Sequence, residues 1–202
     1  MPGGGSPSRF ASGLLPLEIP KGTEIVRVHW QNKGSIFFGP KLGLAPGNRF
    51  DAPAGEYRTL YAAIELPGAY VETVLRRPGR VIRRSEADGR AATRLQIQRP
   101  LRLAKIFDEG LHWHGVHAGE ISVDDYGPSR QLALDLFEAF PEIDGLAYRS
   151  RFDNGQVCYA LYDRLSDTDL APTGRLDFDK HPSVVDDLMK LYGASFDTSP
   201  LP

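Results

Sequence analysis

Apolar and polar residues alternate over Glu24–Trp30: Val26, Val28 and Trp30 fall on one side, Arg27 and His29 on the other. This period-two pattern is that of a half-buried strand, and it turns Arg27 and His29 outward together or into a cleft. Thr59–Ile64 reads as a short buried strand, and Pro67 marks the start of a helix running to about Arg76. Val71, Val74 and Leu75 form the inward stripe of that helix, with Glu72 at its flank. Strands are predicted at Val81–Ile82 and over Leu95–Leu103, and a helix capped by Ser129 runs through Phe140 with Leu132, Leu136 and Phe140 at helical spacing. Leu146–Tyr148 and Val157–Tyr162 read as strands joined by a turn at Asp153-Asn154-Gly155. Ser183 is expected to cap a last helix whose Val184, Val185, Leu188 and Leu191 share a face, with Gly193 as its stop. Helices and strands mix without a repeated βαβ rhythm or an internal repeat, so the expected class is α+β, a mixed sheet core with flanking helices.

The chain has 202 residues, 41% hydrophobic and 25% charged, which suits one soluble domain with a packed core. Its glycine-, proline- and serine-rich beginning predicts a flexible leader over residues 1–14, a domain over 15–195 and a flexible tail over 196–202. Glycine and proline also recur between Asn32 and Gly55, the signature of a long irregular segment of the kind that often carries function. Lys+Arg number 24 against 26 Asp+Glu, a net charge of −2, so no global basic field recruits nucleic acid or anionic lipid. A single cysteine, Cys158, excludes an internal disulfide and multi-cysteine metal frameworks, which fits a reducing compartment. With no signal-peptide pattern and no apolar run near the roughly 20 residues of a membrane span, a cytoplasmic location is expected.

Generic catalytic motifs are missing: no Gly-x-x-x-x-Gly-Lys loop, no Gly-x-Ser-x-Gly elbow and no His-Glu-x-x-His. Arginines at 76, 77, 80, 83, 84, 90, 94, 99 and 102 mostly alternate with apolar residues, a pattern of solvated strand faces rather than of a basic tail. His112, His114 and His117 could share a metal, but glycine breaks the segment and no carboxylate is singled out as a fourth ligand, so no metal site is expected. Cys158, inside an apolar strand without an activating neighbour, reads as a buried inert thiol.

The order Arg27, Arg49, Tyr61, Glu72 and Ser150 is more informative than any single motif. With Val26-Arg27-Val28-His29, Leu60-Tyr61, Asp144 through Arg151 and Ala160-Leu161-Tyr162-Asp163, it resembles the RES-domain family, named for its arginine, glutamate and serine, from about Ile25 to Arg164. The chain has Arg49-Phe50-Asp51 where that family usually has Arg-Trp-Asn, and Ala52–Arg58 is slightly longer than usual. The resemblance implies an ADP-ribosyltransferase-like fold and the toxin role of a bacterial toxin–antitoxin pair. It also implies cleavage of the nicotinamide–ribose bond of NAD⁺, with NAD⁺ as substrate rather than cofactor and inorganic phosphate or water as acceptor. The implied partner is a cognate Xre-like antitoxin; no membrane and no direct nucleic-acid contact are implied.

Carried onto this chain, the chemistry gives each residue a role. Arg27 and Arg49 are expected to clamp the pyrophosphate through bidentate guanidinium contacts. Glu72 is expected to stabilise the oxocarbenium-like ribose, Tyr61 to stack on the nicotinamide and Ser150 to orient ribose or amide by a hydrogen bond. Two other functions stand beside this one: ADP-ribosyl transfer to a protein, and a catalytically weak module binding protein or nucleic acid through its arginine-rich segment. An exposed apolar face on the last helix would favour a homo-oligomer.

Overall fold

In the computed structural model, which describes residues 9–41, 43–76 and 81–197, the chain forms ten strands, six α-helices and one 3₁₀ turn. In order these are β1 (Pro16–Ile19), β2 (Glu24–Trp30), β3 (Thr59–Ala63), α1 (Leu66–Thr73), β4 (Val81–Ile82), α2 (Arg84–Asp88), β5 (Arg90–Ile97) and β6 (Leu101–Lys105). Then follow α3 (Glu109–Trp113), α4 (Ala118–Ser122), α5 (Gly127–Ala139), β7 (Gly145–Arg149), β8 (Val157–Tyr162), β9 (Leu170–Asp177), the 3₁₀ turn Phe178–Lys180, α6 (Pro182–Leu191) and β10 (Ser195–Phe196). Eight strands make one sheet in the order β1-β6-β7-β8-β3-β2-β5-β9, in which only β6 and β7 run parallel. The class is α+β, as the pattern of elements predicts.

A short connection curls this sheet. Only Gln98, Arg99 and Pro100 join β5 to β6, although five inter-strand steps separate the two strands in the sheet order. Five steps in a flat sheet would span about 24 Å, whereas the chain from Ile97 to Leu101 reaches at most about 14 Å. The sheet therefore bends toward itself, and Ile19, Ile25, Leu60, Leu95, Leu103 and Leu161, from six different strands, meet in a core on its concave side. Its other face buries Val28, Ala92, Leu146 and Ala160 beneath α1, α5 and α6, which contribute Tyr70, Leu132, Leu136, Val185 and Met189.

Several boundaries differ from the sequence reading for identifiable reasons. The strand expected over Leu95–Leu103 is two strands, split at Gln98–Pro100, where proline removes a ladder donor. Helix α5 starts two residues before Ser129, with Pro128 in its first turn, so Ser129 is not the cap. Ser183 likewise lies inside α6, behind Pro182. In that helix Met189 is buried and Leu191 is 62% exposed: the inward face follows Val185, Leu188 and Met189, a stripe of steps of three and four that leaves Leu191 on its flank. Strand β9, unforeseen in the sequence, contains Pro172 and Gly174 and pairs on one side only, the position where such residues are tolerated.

The expected domain limits run through packed structure. Arg9 pairs with Glu120, and Phe10 packs edge-on against His114 and Phe140, so the part of the leader from Arg9 is docked on the domain. At the other end, Phe196 of β10 pairs in parallel with Ile82 and lies under the Arg84 guanidinium. The remaining parts of the expected leader and tail, residues 1–8 and 198–202, lie outside the described residues, as do Arg77 and Arg80.

The histidine cluster is a structural device. His112 lies on helix α3 and His114 just beyond it, and His114 is fully buried. Its Nε2 accepts the Leu15 N–H at 3.1 Å and its Nδ1 lies 2.9 Å from the Gly110 carbonyl, so the neutral ring with its proton on Nδ1 satisfies both. Burial lowers its pKa below the ordinary 6.5. The unfolded chain therefore binds the proton more tightly, and stability is lost as pH falls through the window below about 6.5. The urea midpoint is expected to fall between pH 7.5 and pH 5.5. His114→Gln should shrink that difference but not abolish it, because His29, whose pKa burial also lowers, remains.

Candidate functional site

The site is built on an irregular loop that one carboxylate holds in place. Asp51, 1% exposed, accepts the backbone N–H groups of Gly47 and Asn48 on Oδ2, at 2.9 and 2.7 Å, and the Tyr61 hydroxyl on Oδ1, at 2.9 Å. The same hydroxyl accepts the Phe50 N–H at 3.0 Å, while the Phe50 carbonyl takes hydrogen bonds from Tyr57 and Thr59. Helix α5 completes the clamp: Ser129 donates to the Arg49 carbonyl, and Arg130 to the carbonyls of Asn48 and Pro46. With donors and acceptors on both sides so engaged, the backbone about Arg49 has little freedom. Burial, and after it the charge of Asp51, push the Tyr61 phenol well above its ordinary pKa, which keeps it a donor.

Arg49 leaves this loop as a buried cation without a counter-ion. Its residue is 5% exposed, its Nε has no hydrogen-bond partner, and its guanidinium carbon stands 5.7 Å from the ring centres of both Phe50 and Tyr148. Among the described residues it makes no ion pair. A buried charge of this kind costs stability unless something outside the fold offsets it.

The same cavity holds the Glu72 carboxylate, in the last turn of α1, which forms no ion pair with Arg49. The Ser150 hydroxyl donates to Glu72 Oε1 at 2.6 Å and accepts the N–H groups of Phe152 and Asp153 at 3.1 and 3.3 Å. Those two backbone donors leave the hydroxyl proton nowhere to point but the carboxylate, so Ser150 orients Glu72. Ser150 is itself fully buried and is not part of the cavity wall. The tyrosine hydroxyl of Tyr148 and the thiol of Cys158 are both pushed up, first by burial and then by the Glu72 charge.

Arg27, Arg49, Tyr61 and Glu72 all line one cavity of about 470 Å³, within the usual range for ligand clefts. Arg27 donates through Nη1 to the carbonyls of Ser35 and Phe37, and burial lowers its pKa to about 10, still a cation at neutral pH. His29, its expected companion, is instead buried and bonded to Thr93. Arg76, which donates to Asn48 Oδ1, and Arg90 add two more guanidinium groups, so four arginines face two carboxylates, Glu72 and the fully bonded Asp51. Such a cavity suits an anionic ligand with a sugar or a developing cation at the Glu72 end.

Sequence reasoning singled out four of these wall residues and missed Asp51, Arg76, Arg90 and Tyr148. Only Asp51 had a local signal, a short side chain three residues after Asn48 in a glycine-rich turn. The rest of the arginine run is dispersed: Arg84 pairs with Asp88 and Asp186, Arg99 with Asp144 and Asp169, and Arg102 lies near Glu18 and Glu142. Asp144 and Arg164, at the ends of the segments carrying the resemblance, hold the fold: Asp144 accepts an Arg99 fork and the Arg102 N–H, while Arg164 donates to the carbonyls of Phe137, Phe140 and Ile143. No group of three or more potential metal-binding side chains occurs among the described residues, and none of their helices is long and apolar enough to cross a membrane.

The sequence matches the profile of the RES domain over residues 24–180. No curated protein matches. Among solved structures, the M. tuberculosis MbcT–MbcA toxin–antitoxin complex contains a chain with the same fold, at a TM-score of 0.66 and 13% identity, covering 90% of this chain and 95% of that one. The shared architecture is the ADP-ribosyltransferase-like α+β fold that the sequence resemblance implies.

Proposed function

The chain belongs to the RES-domain family, and from that premise we propose that it is the toxin of a bacterial toxin–antitoxin pair that consumes NAD⁺ in the cytoplasm. The single observation that carries the reading is the pairing, in one cavity, of a buried Arg49 without counter-ion and a Glu72 carboxylate held by Ser150. A pyrophosphate supplies the anion that Arg49 lacks, and Arg27 has nitrogens beyond Nη1 with which to share it. A ribose placed at Glu72 then has its anomeric carbon beside a fixed negative charge.

In the reaction the bond from the anomeric carbon to the nicotinamide nitrogen breaks, and its electron pair neutralises the pyridinium ring. The ribose becomes oxocarbenium-like, and Glu72 stabilises that charge more strongly than the neutral ground state. A phosphate oxygen or water then forms the new bond to carbon, and water loses a proton in doing so. Tyr61 lends its ring to the cavity wall while its hydroxyl, tied to Asp51 and Phe50, keeps the loop in place. Ser150 is a positioning residue for Glu72 rather than a ligand for ribose or amide. The partner that silences the toxin is a cognate Xre-like protein, supported by the family and by the toxin–antitoxin complex of the structural relative.

The test is incubation of the purified chain with NAD⁺, with and without inorganic phosphate, and chromatographic resolution of products. Release of nicotinamide with ADP-ribose-1-phosphate in phosphate buffer identifies phosphorolysis, and ADP-ribose alone identifies hydrolysis. No nicotinamide under either condition removes the reading, and ADP-ribose retained on added protein replaces it with protein modification.

A further inference from the structure

Two side chains on the sheet side of the cavity have no part in the chemistry just described. Trp30 and Arg90 are directly opposite one another in the antiparallel β2–β5 ladder, and both line the cavity. Cross-strand partners share a face of the sheet, and here the Arg90 guanidinium carbon lies over the indole, 3.5 Å from the ring centre. Gly89 makes room for the ring: a Cβ at that position would stand 3.0 Å from the indole Cζ3. Among the described residues Arg90 forms no ion pair and no side-chain hydrogen bond, and its Nε is buried without a partner. Trp30, by contrast, is 44% exposed, an unusual position for a tryptophan.

A guanidinium held over an indole offers a planar cation whose donors the protein has not used. Planar guanidinium groups and indoles are the surfaces on which nucleic-acid bases stack, and such stacking is tolerant of the particular base. On the NAD⁺ reading the pyrophosphate is met by Arg27 and Arg49, and Arg76 is tied to Asn48, so Arg90, presented differently on the same wall, is left for another part of the ligand. Phosphate recognition would not require the indole, whereas a purine ring does benefit from it.

We propose that the Trp30–Arg90 stack is the subsite for the purine base of the dinucleotide, and that it makes the cavity selective for NAD⁺ over nicotinamide mononucleotide, which lacks the adenosine half. The inference rests on the NAD⁺ reading above. It assigns Trp30 and Arg90 to substrate selection and leaves bond cleavage to the Glu72 end.

The experiment compares kcat/KM for NAD⁺ and for nicotinamide mononucleotide in the wild-type chain, Arg90→Gln and Trp30→Leu, and measures AMP binding to each by calorimetry. Circular dichroism establishes that each variant is folded, and Trp30→Leu serves if Arg90→Gln is not. The expected result is a fall of roughly tenfold in the NAD⁺-to-mononucleotide preference, the change that about 1.4 kcal/mol of lost stacking gives, with AMP binding weakened in parallel. Equal losses on both substrates, or no change in preference, would overturn the proposal. If the wild-type chain cleaves neither substrate, the reaction reading falls while Arg90-dependent AMP binding still upholds the subsite; no AMP binding by the wild-type chain overturns the subsite itself.

Discussion

Glu72→Gln is expected to lower kcat for nicotinamide release by about 100- to 1,000-fold, the usual effect of removing one preorganised charge from a transition state, with KM for NAD⁺ little changed. The glutamine is isosteric, and its amide oxygen can still accept the Ser150 hydroxyl that now donates to Glu72 Oε1. Ser150 keeps its own bonds to the Phe152 and Asp153 N–H groups, so no buried donor is stranded. What disappears is the negative charge, which matters only once the ribose becomes cationic. Single-turnover release of nicotinamide, followed beside a thermal melt, checks both halves of the expectation. A variant with wild-type turnover would remove Glu72 from the chemistry, and one that melts early would show that the carboxylate serves the fold.

Arg49→Met should move activity and stability in opposite directions. The arginine is buried, has no counter-ion and leaves Nε without a partner, so its charge destabilises the empty protein. Methionine has similar length, can lie beside the packed Phe50 and Tyr148 rings as the guanidinium does, and places a thioether where sulfur–aromatic contacts are favourable. A stabilisation of about 0.5–2 kcal/mol is expected, read as a rise in Tm of about 2–4 °C per kcal/mol. Losing a charge-assisted clamp on phosphate, worth about 1.5–3 kcal/mol, should meanwhile lower kcat/KM for NAD⁺ by roughly 10- to 150-fold, chiefly through KM. A variant that loses activity and stability together would place Arg49 among the structural residues.

Residue order and local chemistry made the site partly legible in advance. Arg27, Arg49, Tyr61 and Glu72 converge on one cavity, and the strand over Val157–Tyr162 has the bounds its apolar run predicts. Ser150 was legible as part of the set but not in its place, because a serine beside a turn has the same local sequence whether its hydroxyl faces a ligand or a carboxylate 78 residues away. Phe50-Asp51, which departs from the family's usual residues, keeps the loop anchored: Phe50 is fully buried against Tyr148 and Asp51 collects the loop's N–H groups. Arg90 was hidden among the other arginines of its segment, which share its composition and differ from it only in their partners.

By itself the sequence determined the class of the fold, most of the central strands and helices, and the types of side chain that could serve an anionic, sugar-containing ligand. These follow from periodicity and turn chemistry, which act between residues close in the chain. Only the tertiary structure decided that the sheet curls, that Ser150 stands behind Glu72, that Arg49 is buried without an ion pair and that Arg90 lies over the Trp30 indole. Each of these depends on which distant groups a side chain meets and how much water it loses, and neither is written in any short window of sequence.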